Sequence, residues 1–232
     1  VICARLKLTP VELAGWDERS RLLRVDFHDG RIISQFQGYE RLAEFDWQRY
    51  RQRYGDIQRL DRLLEAEGDD PNRFRLSKQA DVLMLFYLFS AEQLVEMFRH
   101  LGYRFEASWI PANVKYYGQR TSHGSSLSRV VHAWVLSRTQ RTQSWALFQQ
   151  ALHTDYGDAP RGTTREGIHL GAMAGTIDLM FRCYTGLEVR GDVLSFKPNL
   201  RKVRFPYASI NETSHCEKSE NASPFGFSSR NV

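Results

Sequence analysis

The sequence predicts a mainly helical chain organised as an α/α toroid. Three observations predict it. Apolar-periodic segments alternate between ones that are apolar almost all round and ones with a polar face. Short capped turns such as Ser90-Ala91-Glu92-Gln93 join them into antiparallel pairs. A longer run of period-two alternation, the strand signature, comes only at Leu187 to Phe196. In such a toroid inner and outer helices follow one another, and the ends of the inner helices surround one pocket.

From Val1 to about Arg75 the pattern is irregular, with short helical pieces. Val25 to Ile33 reads as two short extended runs about the Asp29-Gly30 turn. Asp46 to Tyr54 is rich in aromatics and arginine, and Gly68-Asp69-Asp70-Pro71 is a turn. From Ser77 to Phe89 the residues Val82, Leu83, Leu85, Phe86 and Phe89 predict an inner helix. The Ser90 capping box opens an amphipathic outer helix through Leu94, Val95, Met97 and Phe98, which Gly102 can end.

The rhythm repeats. Leu127, Val130, Val131, Trp134 and Val135 predict a helix over Ser126 to Arg138. Trp145, Leu147, Phe148 and Leu152 predict its outer partner over Thr142 to His153. Thr163-Thr164-Arg165-Glu166 is a second capping box, before a helix from Gly167 to Tyr184 whose small residues (Gly171, Ala172, Ala174, Gly175) allow close packing. Leu187 to Phe196 is a hairpin about Gly191-Asp192. The chain thus divides into a partial toroid (1–185), the start of a β domain (186–207) and a Ser-, Asn-, Glu- and Lys-rich tail expected to be disordered (208–232).

Composition narrows the function. With 42% hydrophobic and 12% aromatic residues in 232, the chain can build a core, so global disorder is excluded. The net charge of +5 is spread over arginines that alternate with Asp and Glu, which is a solvated surface and not a nucleic-acid face. Cys3, Cys183 and Cys216 are odd in number and scattered, which argues against a disulfide framework and a zinc site. No 18-residue apolar run and no signal peptide are visible, so a soluble, cytoplasmic protein with no membrane partner is the default expectation. The chain opens on Val1 instead of Met, which fits a start within a longer protein.

The stretch Thr121-Ser122-His123-Gly124-Ser125-Ser126-Leu127-Ser128 lies where a helix begins. A helix N-terminus carries unpaired N–H groups and partial positive charge, which favour an anion. Ser125 and Ser126 could grip phosphate oxygens, or Ser125 could be only an N-cap. His123 could line the pocket or brace the loop.

Three blocks occur in order: Ser77-Lys78-Gln79-Ala80-Asp81-Val82, the Thr121 to Ser128 stretch, and Gly162-Thr163-Thr164-Arg165-Glu166-Gly167-Ile168-His169-Leu170-Gly171-Ala172-Met173. Together they resemble glycoside hydrolase family 65, which includes the inverting maltose, trehalose and kojibiose phosphorylases. Gln35-Phe36-Gln37-Gly38-Tyr39 and Glu65 to Pro71 are similar to segments of that family as well. The resemblance runs from about Val11 to Val203. It implies the second half of an (α/α)6 barrel followed by the start of a small C-terminal β-sandwich.

The resemblance also implies roles. Lys78 and Gln79 match a Lys-Gln pair at the sugar and phosphate pocket, Ser125 and Ser126 match serines on phosphate, and His169 matches a phosphate-side histidine. Thr163 and Thr164 match as neighbours of that site, and with His123 and Glu166 they are the further pocket candidates. The implied reaction is inverting phosphorolysis of an α-glucosidic disaccharide such as maltose, trehalose or kojibiose, giving β-glucose 1-phosphate and glucose. Inorganic phosphate is the co-substrate and no cofactor is implied; a homodimer is the usual assembly of similar enzymes.

The resemblance implies a general acid, a glutamate, farther upstream of the Lys78-Gln79 block than this chain reaches, and so before Val1; the early glutamates Glu12, Glu18 and Glu40 sit in no matching context. The chain by itself is therefore expected to be inactive, and half a toroid is expected to expose an apolar edge. Two other readings stay open. A family hydrolase would use water with a second carboxylate as base, yet Tyr116 to Gly124 holds no Asp or Glu, and Asp81 and Glu166 have simpler roles as a first-turn charge and a capping partner. A non-catalytic binding module would keep only the anion grip.

Overall fold

The structure, a computed structural model, describes residues 2–157, 167–190 and 193–198. A single turn of helix, α1 (Ile2–Arg5), precedes α2 (Pro10–Arg21). Sequence reading passed over α2 because it has no apolar stripe, and none of its residues is buried. Its ends are what make it a helix. Thr9 and Glu12 form a reciprocal capping box, and Pro10 presets the first turn.

The predicted hairpin forms as β1 (Phe27–His28) and β2 (Ile32–Ile33), with Phe27 opposite Ile33. Asp29 and Gly30 turn the chain at φ of 50° and 73°, a conformation that Asp tolerates and Gly favours. Next come α3 (Trp47–Tyr54) and α4 (Leu60–Ala66), packed on a small core of Phe45, Ile57, Leu60 and Leu64. The hydroxyls of Tyr50 and Tyr54 both donate to Glu67, which closes this unit and holds the Gly55–Arg59 connection in place.

Six further helices form the body: α5 (Asp81–Leu88), α6 (Ala91–His100), α7 (Ile110–Gly118), α8 (Ser126–Leu136), α9 (Arg141–Leu152) and α10 (Leu170–Asp178). A π-helical segment, Leu179–Tyr184, continues α10. The hairpin β3 (Leu187–Arg190) and β4 (Val193–Phe196) follows. Its Gly191-Asp192 turn and the 208–232 tail lie outside the described residues.

Two helix starts and one whole helix differ from the sequence reading. Helix α5 starts at Asp81 and not Ser77, because Ser77 pairs in parallel with Thr121 and the chain bends at Lys78 and Gln79 before the helix begins. Helix α10 starts at Leu170 with His169 as its N-cap, and Gly167 before it sits at φ 120°. Helix α7 was missed: Pro111 near its start masked a short helix whose buried face is Asn113, Val114 and Tyr117. Asn113 is fully buried. It accepts from the Ile33 N–H at 2.9 Å and donates to the carbonyls of Arg31 and Trp109, tying the first hairpin to the helical body.

Helices α5, α8 and α10 run parallel. Near their starts, the Ser125 hydroxyl donates to Gln79 Oε1 at 2.8 Å. Midway, α10 lies so close to α8 that a Cβ on Gly175 would come 2.7 Å from a Val130 methyl. At their ends, the Tyr87 hydroxyl donates to Asp178 at 2.7 Å and the Tyr87 ring meets Trp134 edge-on at 5.3 Å. Arg182 caps both rings. All three N-termini therefore face one way, the arrangement expected of inner toroid helices. Helix α9 runs back along α8 as the outer partner, fastened by the Ser144 hydroxyl on the Ala133 carbonyl at 2.6 Å. On α10, Ala172, Gly175 and Thr176 are buried while Leu170, Ile177 and then Phe181 stay more than half exposed. That is the bare apolar edge expected of a partial toroid.

Candidate functional site at the helix starts

A bridge at Ser77 followed by a bend at Lys78 and Gln79 carries these two side chains to the N-terminus of α8. The Ser77 N–H donates to Arg120 O at 2.8 Å, and the Ser122 N–H donates to Ser77 O at 2.9 Å. Gln35 braces this junction, donating to the Ser77 hydroxyl and accepting from the Val82 N–H at the start of α5.

Ser125 stands at the N-cap position of α8, but its side chain caps nothing. It donates instead to Gln79 Oε1. The simple capping role is thus replaced by a cross-link between two helix starts. Ser126 has no side-chain hydrogen bond, and Lys78 is exposed with no ion pair, among the described residues. Gly124 makes the approach possible: a Cβ there would fall 2.3 Å from the Gln58 carbonyl oxygen and 2.9 Å from Lys78 Cγ. Gln58 carries no sequence signal of this role, since it reaches the loop only through packing of the α3–α4 unit.

His123 takes the bracing role. Its backbone is left-handed at φ 57°, its Nδ1 meets the Ser128 hydroxyl at 3.0 Å and its ring packs edge-on against His132. Burial, reinforced by His132, Arg129 and Arg51, lowers its pKa to about 3. Burial lowers His132 as well, against an opposing bond to the Ser128 carbonyl. Both rings are neutral in the folded state at pH 7. Below about pH 6.5 the unfolded chain takes up protons that the folded chain refuses, so stability falls as pH falls from 6.5 toward 3. Each such histidine contributes a slope of up to about 1.4 kcal/mol per pH unit. Thermal unfolding between pH 7 and 5 should show this decline, and His123→Asn should flatten it. A midpoint independent of pH in wild type would contradict neutral burial.

His169 caps α10 by position and is held twice by Asp155. Its backbone N–H donates to Asp155 Oδ2 at 3.0 Å and its Nδ1 donates to Oδ1 at 2.6 Å. The proton is therefore on Nδ1, and Nε2 is left for another partner. Asp155 went unnoticed in the sequence because it lies 14 residues away on the loop after α9. The structure thus joins Lys78, Gln79, Gly124 and Ser125 directly, and sets His169 at the start of the third parallel helix, with no hydrogen bond to that group among the described residues. Thr163, Thr164 and Glu166 lie outside the described residues.

Comparison with known proteins fits this architecture. The glycosyl hydrolase family 65 central catalytic domain matches residues 2–178. An uncharacterized glycosyl hydrolase of Mycobacterium tuberculosis is 55% identical over 207 residues, covering 88% of this chain and 16% of that protein. Trehalose 6-phosphate phosphorylase of Lactococcus lactis is 35% identical over 181 residues, covering 78% of this chain and 24% of the enzyme. A solved structure from the human microbiome, provisionally assigned as a kojibiose phosphorylase, superposes with a TM-score of 0.59 at 25% identity, covering 87% of this chain and 27% of that one. The chain thus spans about a sixth to a quarter of the length of these curated relatives. With a domain match over most of its length, the chain belongs to glycosyl hydrolase family 65.

Proposed function

We propose that this chain supplies the phosphate-holding side of an inverting disaccharide phosphorylase. The observation that carries the reading is the contact of Lys78, Gln79, Gly124 and Ser125 at parallel helix starts. Phosphorolysis must hold a dianion against an anomeric carbon. Lys78 offers an exposed ammonium with no ion pair among the described residues, although Asp61 feels its charge; Ser126 offers a hydroxyl with no hydrogen bond among the described residues, and the first turn of α8 its N–H groups. Ser125, fixed on Gln79, keeps that turn in register. His169, with Nδ1 engaged by Asp155, keeps Nε2 for a further hydrogen bond, to phosphate or to the sugar. Phosphate then attacks the anomeric carbon opposite the leaving group, while a carboxylic acid from another part of the polypeptide protonates the glycosidic oxygen.

The substrate is an α-glucosidic disaccharide of the maltose, trehalose or kojibiose kind, and the products are β-glucose 1-phosphate and glucose. Relatives that act as trehalose 6-phosphate and kojibiose phosphorylases support this reaction class. No cofactor is needed.

In the complete polypeptide, cleavage of the α-glucoside should require inorganic phosphate and release a sugar phosphate; phosphate-independent release of glucose would favour the hydrolase reading. For the 232-residue chain alone, phosphate should raise the unfolding midpoint without turnover. At 100 times its dissociation constant the gain is about 2.7 kcal/mol. Lys78→Met or Ser126→Ala should weaken phosphate about tenfold with the unliganded midpoint unchanged. Unaltered binding in both variants would remove the assignment.

A further inference from the structure

Arg129, on α8 one turn beyond Ser126, is 4% exposed and has no carboxylate partner among the described residues. Its guanidinium meets two amide oxygens: Nη2 donates to Gln58 Oε1 at 2.5 Å and Nε to Gln150 Oε1 at 3.4 Å. Nη1 is buried without a hydrogen bond. A buried guanidinium satisfied only by neutral amides is expensive, and an anion is its natural complement. Burial lowers its pKa, opposed only by the more distant Asp56.

The Nε and Nη2 edge, the one that grips oxyanions in bidentate fashion, is the edge occupied by the two glutamines. Both glutamines line a groove of about 420 Å³, together with Arg129, Ala146, Gln149 and His153. The lining holds one fixed cation, three amides and an imidazole, and no carboxylate.

We propose that this groove is a second oxyanion site, in which a phosphate group displaces the Gln58 and Gln150 amides from Arg129. Its ligand is either free phosphate or the phosphate ester of a monosaccharide, whose hydroxyls the freed amides and Gln149 would bind. The site abuts the helix-start loop through Gln58. The Gln58 side chain faces Arg129, while its carbonyl accepts from the Ser122 hydroxyl and lies under Gly124. The proposal does not depend on the reading of Lys78 and Ser126.

Calorimetry on the 232-residue chain with inorganic phosphate, glucose 6-phosphate and glucose tests it. One or both phosphate probes should bind at a site that Lys78→Met leaves intact and Arg129→Met weakens at least tenfold; glucose should not bind. Stronger binding of glucose 6-phosphate identifies the ester as ligand, and equal binding identifies the phosphate group alone. Ala146→Glu gives an independent check. It places a carboxylate in the groove, so it should abolish binding at this site while the unfolding midpoint holds or rises. The proposal is overturned if neither phosphate probe binds, if Lys78→Met alone removes all binding, if Ala146→Glu leaves binding unchanged, or if glucose binds as well as its phosphate.

Discussion

Gly124→Val should lower the unfolding midpoint sharply and abolish phosphate binding at the helix starts together. The new Cβ would stand 2.3 Å from the Gln58 carbonyl oxygen, well inside contact distance. Lys78 could swing away, since only its flexible stem is touched, but the carbonyl is main chain. It is anchored by the small core under α3 and α4 and by the Ser122 hydroxyl. The loop must therefore move, and with it the first turn of α8. Overpacking of this kind costs about 3 kcal/mol. For a chain of this size that is a midpoint drop of roughly 6–12 °C. A shift of about 1 Å at a binding centre can cost 100-fold in function. Gly171→Ala is the matched control. It lies in the first turn of α10 with nothing within 4 Å of a new Cβ, so it should be neutral or slightly stabilising. Thermal unfolding and phosphate titration of the two variants give the comparison. Gly124→Val behaving like Gly171→Ala would mean that the loop tolerates displacement and that the close approach serves no purpose.

Asp155→Asn should weaken phosphate about 10–100-fold, the range typical of removing a partner that orients a binding histidine, and should lower the unfolding midpoint as well. His169 offers Asp155 two donors, its backbone N–H and its Nδ1–H. A carboxylate has an acceptor for each, whereas a carboxamide has one acceptor and one donor. The variant must point an N–H at an N–H or force the imidazole into its other tautomer, with the proton on Nε2. Losing one charge-assisted hydrogen bond within the protein costs about 1.5–3 kcal/mol of stability, and the effect on phosphate follows from the altered tautomer and orientation of His169. In the complete polypeptide the change should appear in the KM for phosphate and in the pH profile, with a smaller effect on kcat at saturating phosphate. If Asp155 only fastens the loop after α9 to α10, the variant would lower the midpoint and leave both phosphate readouts alone.

Much of this architecture could be read in the chain. The apolar stripes of Val82 to Phe86, Leu127 to Val135 and Trp145 to Leu152 predicted α5, α8 and α9 to within a few residues, because a core-facing helix must repeat near every 3.6 residues. The Ser90 box marked the start of α6 to the residue, because an N-cap is a local hydrogen-bond pattern. The same local rule applied at Thr9-Glu12, where a polar helix with nothing to bury escaped a search for apolar stripes. Motif order carried the family, and periodicity carried the toroid.

What periodicity could not supply was contact between distant residues. The pull of Ser77 into a bridge with Thr121 unwound the predicted first turn of α5. Ser125 left its own helix to bind Gln79, Gln58 came under Gly124 from another unit, and Asp155 reached His169 across a loop. A chain specifies by itself which face of each helix is apolar and where its ends are capped, since those depend on neighbours three or four positions away. Which polar groups meet between helices depends on how those faces pack, and that is decided only when the parallel inner helices close on one another.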